Sequence, residues 1–157
     1  DCIMRIRITG KKNTKVDPEL LRLATRYFIS RLLGDKSKNI SVNLKIVPRS
    51  EDMGVFIFPE DKDASYEIEL DGRMNRRKMI NTLAHECVHV KQWHLREMRD
   101  LKRGNKVRWL GKLTEWVEPN LDTYQEYFDQ PWEIEANGRA VGLCAGFFYV
   151  YGSLMRR

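Results

Sequence analysis

Apolar and polar residues alternate from Met4 to Thr9, and that period of two predicts a half-buried strand over 2–9. After a polar connection, Asp17-Pro18 has the form of a helix start: a carboxylate able to cap free N–H groups, then a residue with no N–H to lose. Leu20, Leu21, Leu23, Ala24, Tyr27, Phe28 and Leu32 give that helix a broad apolar face, and Gly34 marks its end. Alternation returns over 40–47, where Asn43 and Lys45 separate Val42, Leu44 and Ile46 and Pro48 closes the run. Gly54 to Phe58 reads as a short apolar strand stopped by Pro59. Residues 65–70 set Tyr66, Ile68 and Leu70 against Ser65, Glu67 and Glu69, which predicts an edge strand or one with a single dry face.

From Met74 the period lengthens. Met79, Ile80, Leu83, Ala84, Cys87 and Val88 recur at three- and four-residue intervals and predict a helix from 74 to 102, capped by Gly104. Residues 106–117 read as a hairpin around Leu110-Gly111 held by Trp109 and Trp116, and 119–130 as a loop carrying Tyr124, Tyr127 and Phe128. Pro131 suits the first position of a last helix. Its apolar run over 140–155 falls short of the roughly 20 residues that span a bilayer, and Arg139 and Arg156 flank it, so a buried C-terminal helix is expected and no membrane partner. The pattern describes one α+β domain over 1–157. Its mostly antiparallel twisted sheet of three to five strands packs on the N-terminal helix, the 74–102 helix and the C-terminal helix.

Composition adds limits. A chain of 157 residues, 42% hydrophobic and 32% charged, can bury a core without staples. No N-terminal stretch combines a charged region, an apolar run and a small-residue cleavage site. Three cysteines, Cys2, Cys87 and Cys144, lack the number and spacing of a disulfide framework and point to a reducing, cytoplasmic setting, with Cys87 a core residue. The formal charge of +6 admits nucleic acid as a partner. Cations concentrate at Arg96, Arg99, Lys102, Arg103, Lys106, Arg108 and Lys112, a stretch that reads either as solvated surface or as a docking site for nucleic acid or an acidic protein.

The chemistry lies in His85-Glu86-Cys87-Val88-His89. Residues four apart on a helix share a face, so His85 and His89 can aim two imidazoles at one ion, with Glu86 beside them as a general base for water. A catalytic zinc takes three protein ligands, so a third donor must come from elsewhere. His94 is nine residues beyond His85 and points almost opposite it on a continuing helix, which suits a surface or packing role. Glu133 and Glu135 remain, about 200° apart on the last helix. Glu133 shares a face with Ala136, Asn137, Ala140 and Cys144, a small-residue stripe that permits close approach of another helix, whereas Glu135 aligns with Arg139 as an i,i+4 ion pair. Glu133 is therefore the favoured ligand and Glu135 the alternative. Asn137, one turn on, is placed to orient a ligand histidine.

His85-Glu86-Cys87-Val88-His89 followed by Glu133-Ile134-Glu135-Ala136-Asn137 resembles the gluzincin metallopeptidases, especially their smallest members and the small HExxH proteins of bacteriophages. Position 137 holds Asn where those proteins commonly have Asp. The resemblance covers about residues 64–145 and implies a zincin-like domain with one Zn²⁺ on His85, His89 and Glu133. It also implies peptide hydrolysis with Glu86 as base and a substrate extended beside the edge strand, here 65–70. If the chain is phage-encoded, the setting is the host cytoplasm. Tyr124 and Tyr127 are the candidates for stabilising the oxyanion, a role that loop tyrosines fill less often than packing. The alternative is a zinc-containing binding module that docks nucleic acid through Arg99, Lys102, Arg103, Lys106 and Arg108.

Overall fold

The structure is a computed structural model and describes residues 3–59, 64–102 and 105–156. Among them the fold is α+β, with a four-stranded mixed sheet, a three-stranded antiparallel sheet and four helices. The first sheet comprises β1 (Arg5–Thr9), β2 (Ser41–Val47), β3 (Gly54–Ile57) and β4 (Ser65–Asp71), in the order β1-β2-β4-β3. Alternation places Ile6, Ile8, Val42, Leu44, Ile46, Tyr66, Ile68 and Leu70 on the buried face. Helices α1 (Pro18–Leu33) and α2 (Arg76–His94) contribute Leu21, Phe28, Ile29, Met79, Ile80 and Leu83 to the same core. Both starts are capped as their sequences imply. Asp17 accepts the Glu19 N–H at 3.0 Å, and Asn75 accepts the Lys78 N–H at 2.9 Å.

The sheet is not mostly antiparallel. β1 pairs with β2, and β2 with β4, in parallel; only β3 runs antiparallel, to β4. Alternation reports that one face of a strand is dry and carries no information about direction, which the crossover through α1 sets. Residues 65–70 accordingly lie in an interior strand, between β2 and β3, and the edges are β1 and β3. Gly10 is required where β1 turns away: its φ is +75°, and a Cβ would lie 2.0 Å from the Ile46 carbonyl oxygen.

The predicted 74–102 helix stops at His94. Arg96 takes a left-handed φ of 62°, the Glu97 N–H closes on the Gln92 carbonyl at 2.8 Å, and the chain continues as β5 (Met98–Lys102). No glycine announces this stop, and Gly104 lies outside the described residues. β5 pairs with the predicted hairpin, β6 (Lys106–Trp109) and β7 (Lys112–Glu115). The expected loop holds a short helix, α3 (Tyr124–Phe128), before α4 (Pro131–Tyr151). Only one face of α4 is buried, through Trp132, Ala136, Ala140, Leu143, Cys144 and Phe147; Val141 and Tyr149 are exposed. Among the described residues no helix is long and apolar enough to cross a membrane.

Phe28 is fully buried, with its ring centroid 5.9 Å from that of Tyr27 and 5.6 Å from that of Phe147, so it joins α1 to α4. Phe28→Ala is expected to cost about 3–5 kcal/mol. Urea unfolding checks this as a lower midpoint with an unchanged slope.

Candidate metal centre

Apolar packing orients α2. With Leu83, Ala84, Cys87 and Val88 turned into the core, His85 and His89 lie one turn apart on the flank that faces α4, their ring centroids 4.9 Å apart. The start of α4 is held by Gln130. Its side chain accepts the Val117 N–H at 2.8 Å and donates to the Val117 and Tyr127 carbonyls at 3.3 and 3.0 Å. Glu133 is thereby fixed in the first turn of α4, where the helix dipole favours a carboxylate.

The structure brings His85, His89 and Glu133 together. His85 Nε2 lies 3.2 Å from Glu133 Oε1, and His89 Nε2 lies 3.0 Å from Glu133 Oε2. Each residue offers a ligand atom within 4.8 Å of the others, and the cluster can hold a metal ion. Ligands about 2.0–2.1 Å from one tetrahedral ion lie about 3.3 Å apart, so these donors sit close to the spacing an ion needs. Two imidazoles and a carboxylate suit zinc and serve other divalent metals as well.

Burial opposes the charge on Glu133, but the hydrogen bonds and charges of His85 and His89 outweigh it and hold the carboxyl well below the usual carboxylate range. His89 shows the converse. Burial disfavours its cation, yet Glu133, Glu86 and Gln92 together raise its pKa to about 9. Glu86, only 6% exposed, has its Oε2 4.0 Å from His85 Nε2. Desolvation pushes its pKa up, against the neighbouring imidazoles and a hydrogen bond from the Phe56 backbone. β3 comes that close because residue 54 is glycine: a Cβ there would lie 2.5 Å from Thr82 Cγ2 and 3.3 Å from Glu86 Cγ.

The remaining sequence candidates separate. Tyr127 donates to Glu133 Oε1 at 3.1 Å, and burial, then the Glu133 charge, push its pKa up. Tyr124 is 60% exposed and packs edge-on against Phe128. His94 is engaged elsewhere, with its Nδ1 2.8 Å from the Tyr66 hydroxyl. Glu135 is not a solvent ion pair with Arg139 alone, since it also binds Lys91 and Gln92. Asn137 is exposed, and the position foreseen for it is filled by Gln92. The Gln92 amide donates to the Trp132 carbonyl at 3.0 Å and to Glu135 Oε1 at 2.9 Å, so its oxygen faces His89 Nδ1 at 2.8 Å. That places a proton on Nδ1 and aims Nε2 at Glu133. Gln92 is three residues after His89 and seven after His85, so the helical stripe that marks the histidines marks it too.

The basic stretch is partly occupied by its own protein. Arg99 lies 4.9 Å from the Trp93 ring centre, and Arg108 donates to the Gly111 carbonyl at 3.1 Å. Lys106 is exposed, while Arg103 and the side chain of Lys102 lie outside the described residues. Cys2 also lies outside them. Cys87 and Cys144 are free and buried, and desolvation raises both thiol pKa values, that of Cys144 to about 11.

A metal must displace the second proton of His89. Because that pKa is raised, the proton is present at pH 7 and lost only through about 9. Affinity for Zn²⁺ is expected to climb about tenfold per pH unit from 7 to about 9 and then level off, as competitive chelator titration would record. In the metal-free protein both groups tie stability to pH. The His89 contribution to stability is full below about pH 6.5 and fades through about 9, while that of Glu133 is present above about 4.5 and falls away in acid. Metal analysis of two variants checks the ligand set: Glu133→Ala is expected to lose the ion, whereas Glu135→Ala keeps it and loses stability as Lys91 sheds a partner.

Comparison with known proteins places no relative beside this site: no family model, no curated protein and no solved structure matches the chain.

Proposed function

We propose that the chain is a zinc-dependent, gluzincin-like peptidase. The observation that carries this reading is the convergence of His85, His89 and Glu133 from two helices, with the buried Glu86 carboxyl beside them. His85, His89 and Glu133 would hold the zinc ion, which would supply Lewis acidity toward the scissile carbonyl and water. Glu86 takes the proton released when water attacks and returns it to the leaving amine; its desolvated carboxyl has the raised proton affinity that such a shuttle needs. Gln92 holds His89 in the tautomer whose Nε2 faces the ion. Tyr127, whose hydroxyl donates to Glu133, is preferred to the exposed Tyr124 as the donor to the developing oxyanion.

The substrate path moves with the fold. Strand β4 is interior, so an extended peptide has no free edge at 65–70. We assign it to the outer edge of β3, whose Phe56 backbone reaches Glu86. Backbone pairing there supplies affinity with little demand on side chains. A zincin-like arrangement of edge strand, HExxH helix and glutamate helix belongs to the same reading.

Glu86→Gln provides the test. Hydrolysis of a quenched-fluorescence peptide library is expected to fall by about 10²–10⁴-fold while bound zinc stays at the parent level. Full activity in that variant, or a zinc-loaded parent that cleaves nothing, overturns the assignment.

A further inference from the structure

A cleft of about 1250 Å³ opens where β1 and β4 give way to the turns that lead into α1 and α2. β1, β2 and β4 are parallel, so their carboxyl ends lie together there, the place where open sheets of this kind take ligands. Arg76, on its rim, precedes His85 by nine residues, about 14 Å along the α2 axis, so the cleft is distinct from the metal centre.

Among the described residues its lining carries Lys12, Lys15, Arg22, Arg26, Arg73 and Arg76, with Asp17 and Glu19 as the acids. Some of these cations have local work. Arg22 binds Glu19 and the Ile6 carbonyl, Arg26 binds the Met4 carbonyl, and Arg73 forks onto the buried Asp71. Lys12 and Lys15 are exposed and form no ion pair among the described residues. The first turn of α2 adds Arg77 and Lys78 to Arg76 and contains no acid. Cations at a helix N-terminus are repelled by its dipole, although here Arg77 lies over the Phe148 ring, 4.9 Å from its centre, and Arg76 is itself engaged within the protein. No aromatic side chain lines the cleft, which leaves no platform for an unstacked base.

We propose that this cleft docks the phosphate backbone of duplex nucleic acid, without reading its sequence. An excess of cations on an open surface matches a line of phosphates, and the lack of aromatic residues sets aside single strands. The surface is separate from the 96–112 stretch, and among the described residues its Lys12 and Lys15 form no ion pair.

Fluorescence anisotropy of the full chain with two labelled duplex DNAs of unrelated sequence tests this. Both are expected to bind alike, with log affinity falling linearly as log salt rises. The double variant Lys12→Ala/Lys15→Ala is expected to weaken binding about tenfold and to reduce the salt slope by about 2, with an unchanged circular dichroism spectrum. The hairpin variant Lys106→Ala/Lys112→Ala is expected to bind as the parent does. No binding at about 50 mM salt, an unaltered slope in the cleft variant, or loss confined to the hairpin variant overturns the proposal. Preference for single-stranded over duplex DNA does so too.

Discussion

A carboxylate at 2% exposure is costly to bury unless it is paired, and the organisation around α2 and α4 follows from satisfying Glu133. Its partners come from two other elements: His85 and His89 of α2, and Tyr127 of α3. Those three elements must hold fixed relative positions for the charge to be tolerated. Removing one partner from a buried pair typically costs about 3–5 kcal/mol, so the cluster constrains the fold as strongly as it constrains chemistry.

That constraint is relayed outward. His89 leans on Gln92, Gln92 on Glu135 and the Trp132 carbonyl, and Glu135 on Lys91, which also reaches Glu97 just before β5. Lys91 and Gln92 are themselves buried, so each bond answers a desolvation cost as well as setting a direction. The three-stranded sheet is tied to the same seam by aromatic contact: Trp116 stacks on Trp132 at 5.7 Å and 9°, and Trp109 meets it edge-on. A network satisfied to this degree holds one arrangement of its imidazoles, which is the preorganisation a metal site needs.

The electrostatics divide along α2. Midway along the helix, buried carboxylates and imidazoles neutralise one another beside the β3 edge. At its start, arginines and lysines outnumber acids among the described residues that line an open cleft. A site that must orient an ion and a base gains from low dielectric, whereas a surface that meets a polyanion gains from exposed, solvated cations. On the readings proposed above, the two demands fall on separate parts of the fold.

Much was legible in the chain because it depends on period and spacing. The cap at Asp17, the alternating strands, the hairpin at Leu110-Gly111 and the shared face of His85 and His89 are local consequences of backbone geometry. Glu133 was also legible, since a carboxylate on a small-residue stripe in the first turn of a helix can approach another helix closely. Strand direction, the interior place of β4, the end of α2 at Arg96 and the substitution of Gln92 for Asn137 were not. Each depends on which element lies alongside, and alternation reads the same in a parallel or an antiparallel neighbour. By itself, the sequence determined which side chains share a face. Only tertiary packing decided which faces meet, because burial energy is non-directional and the pairing of buried charges selects one arrangement among those it allows.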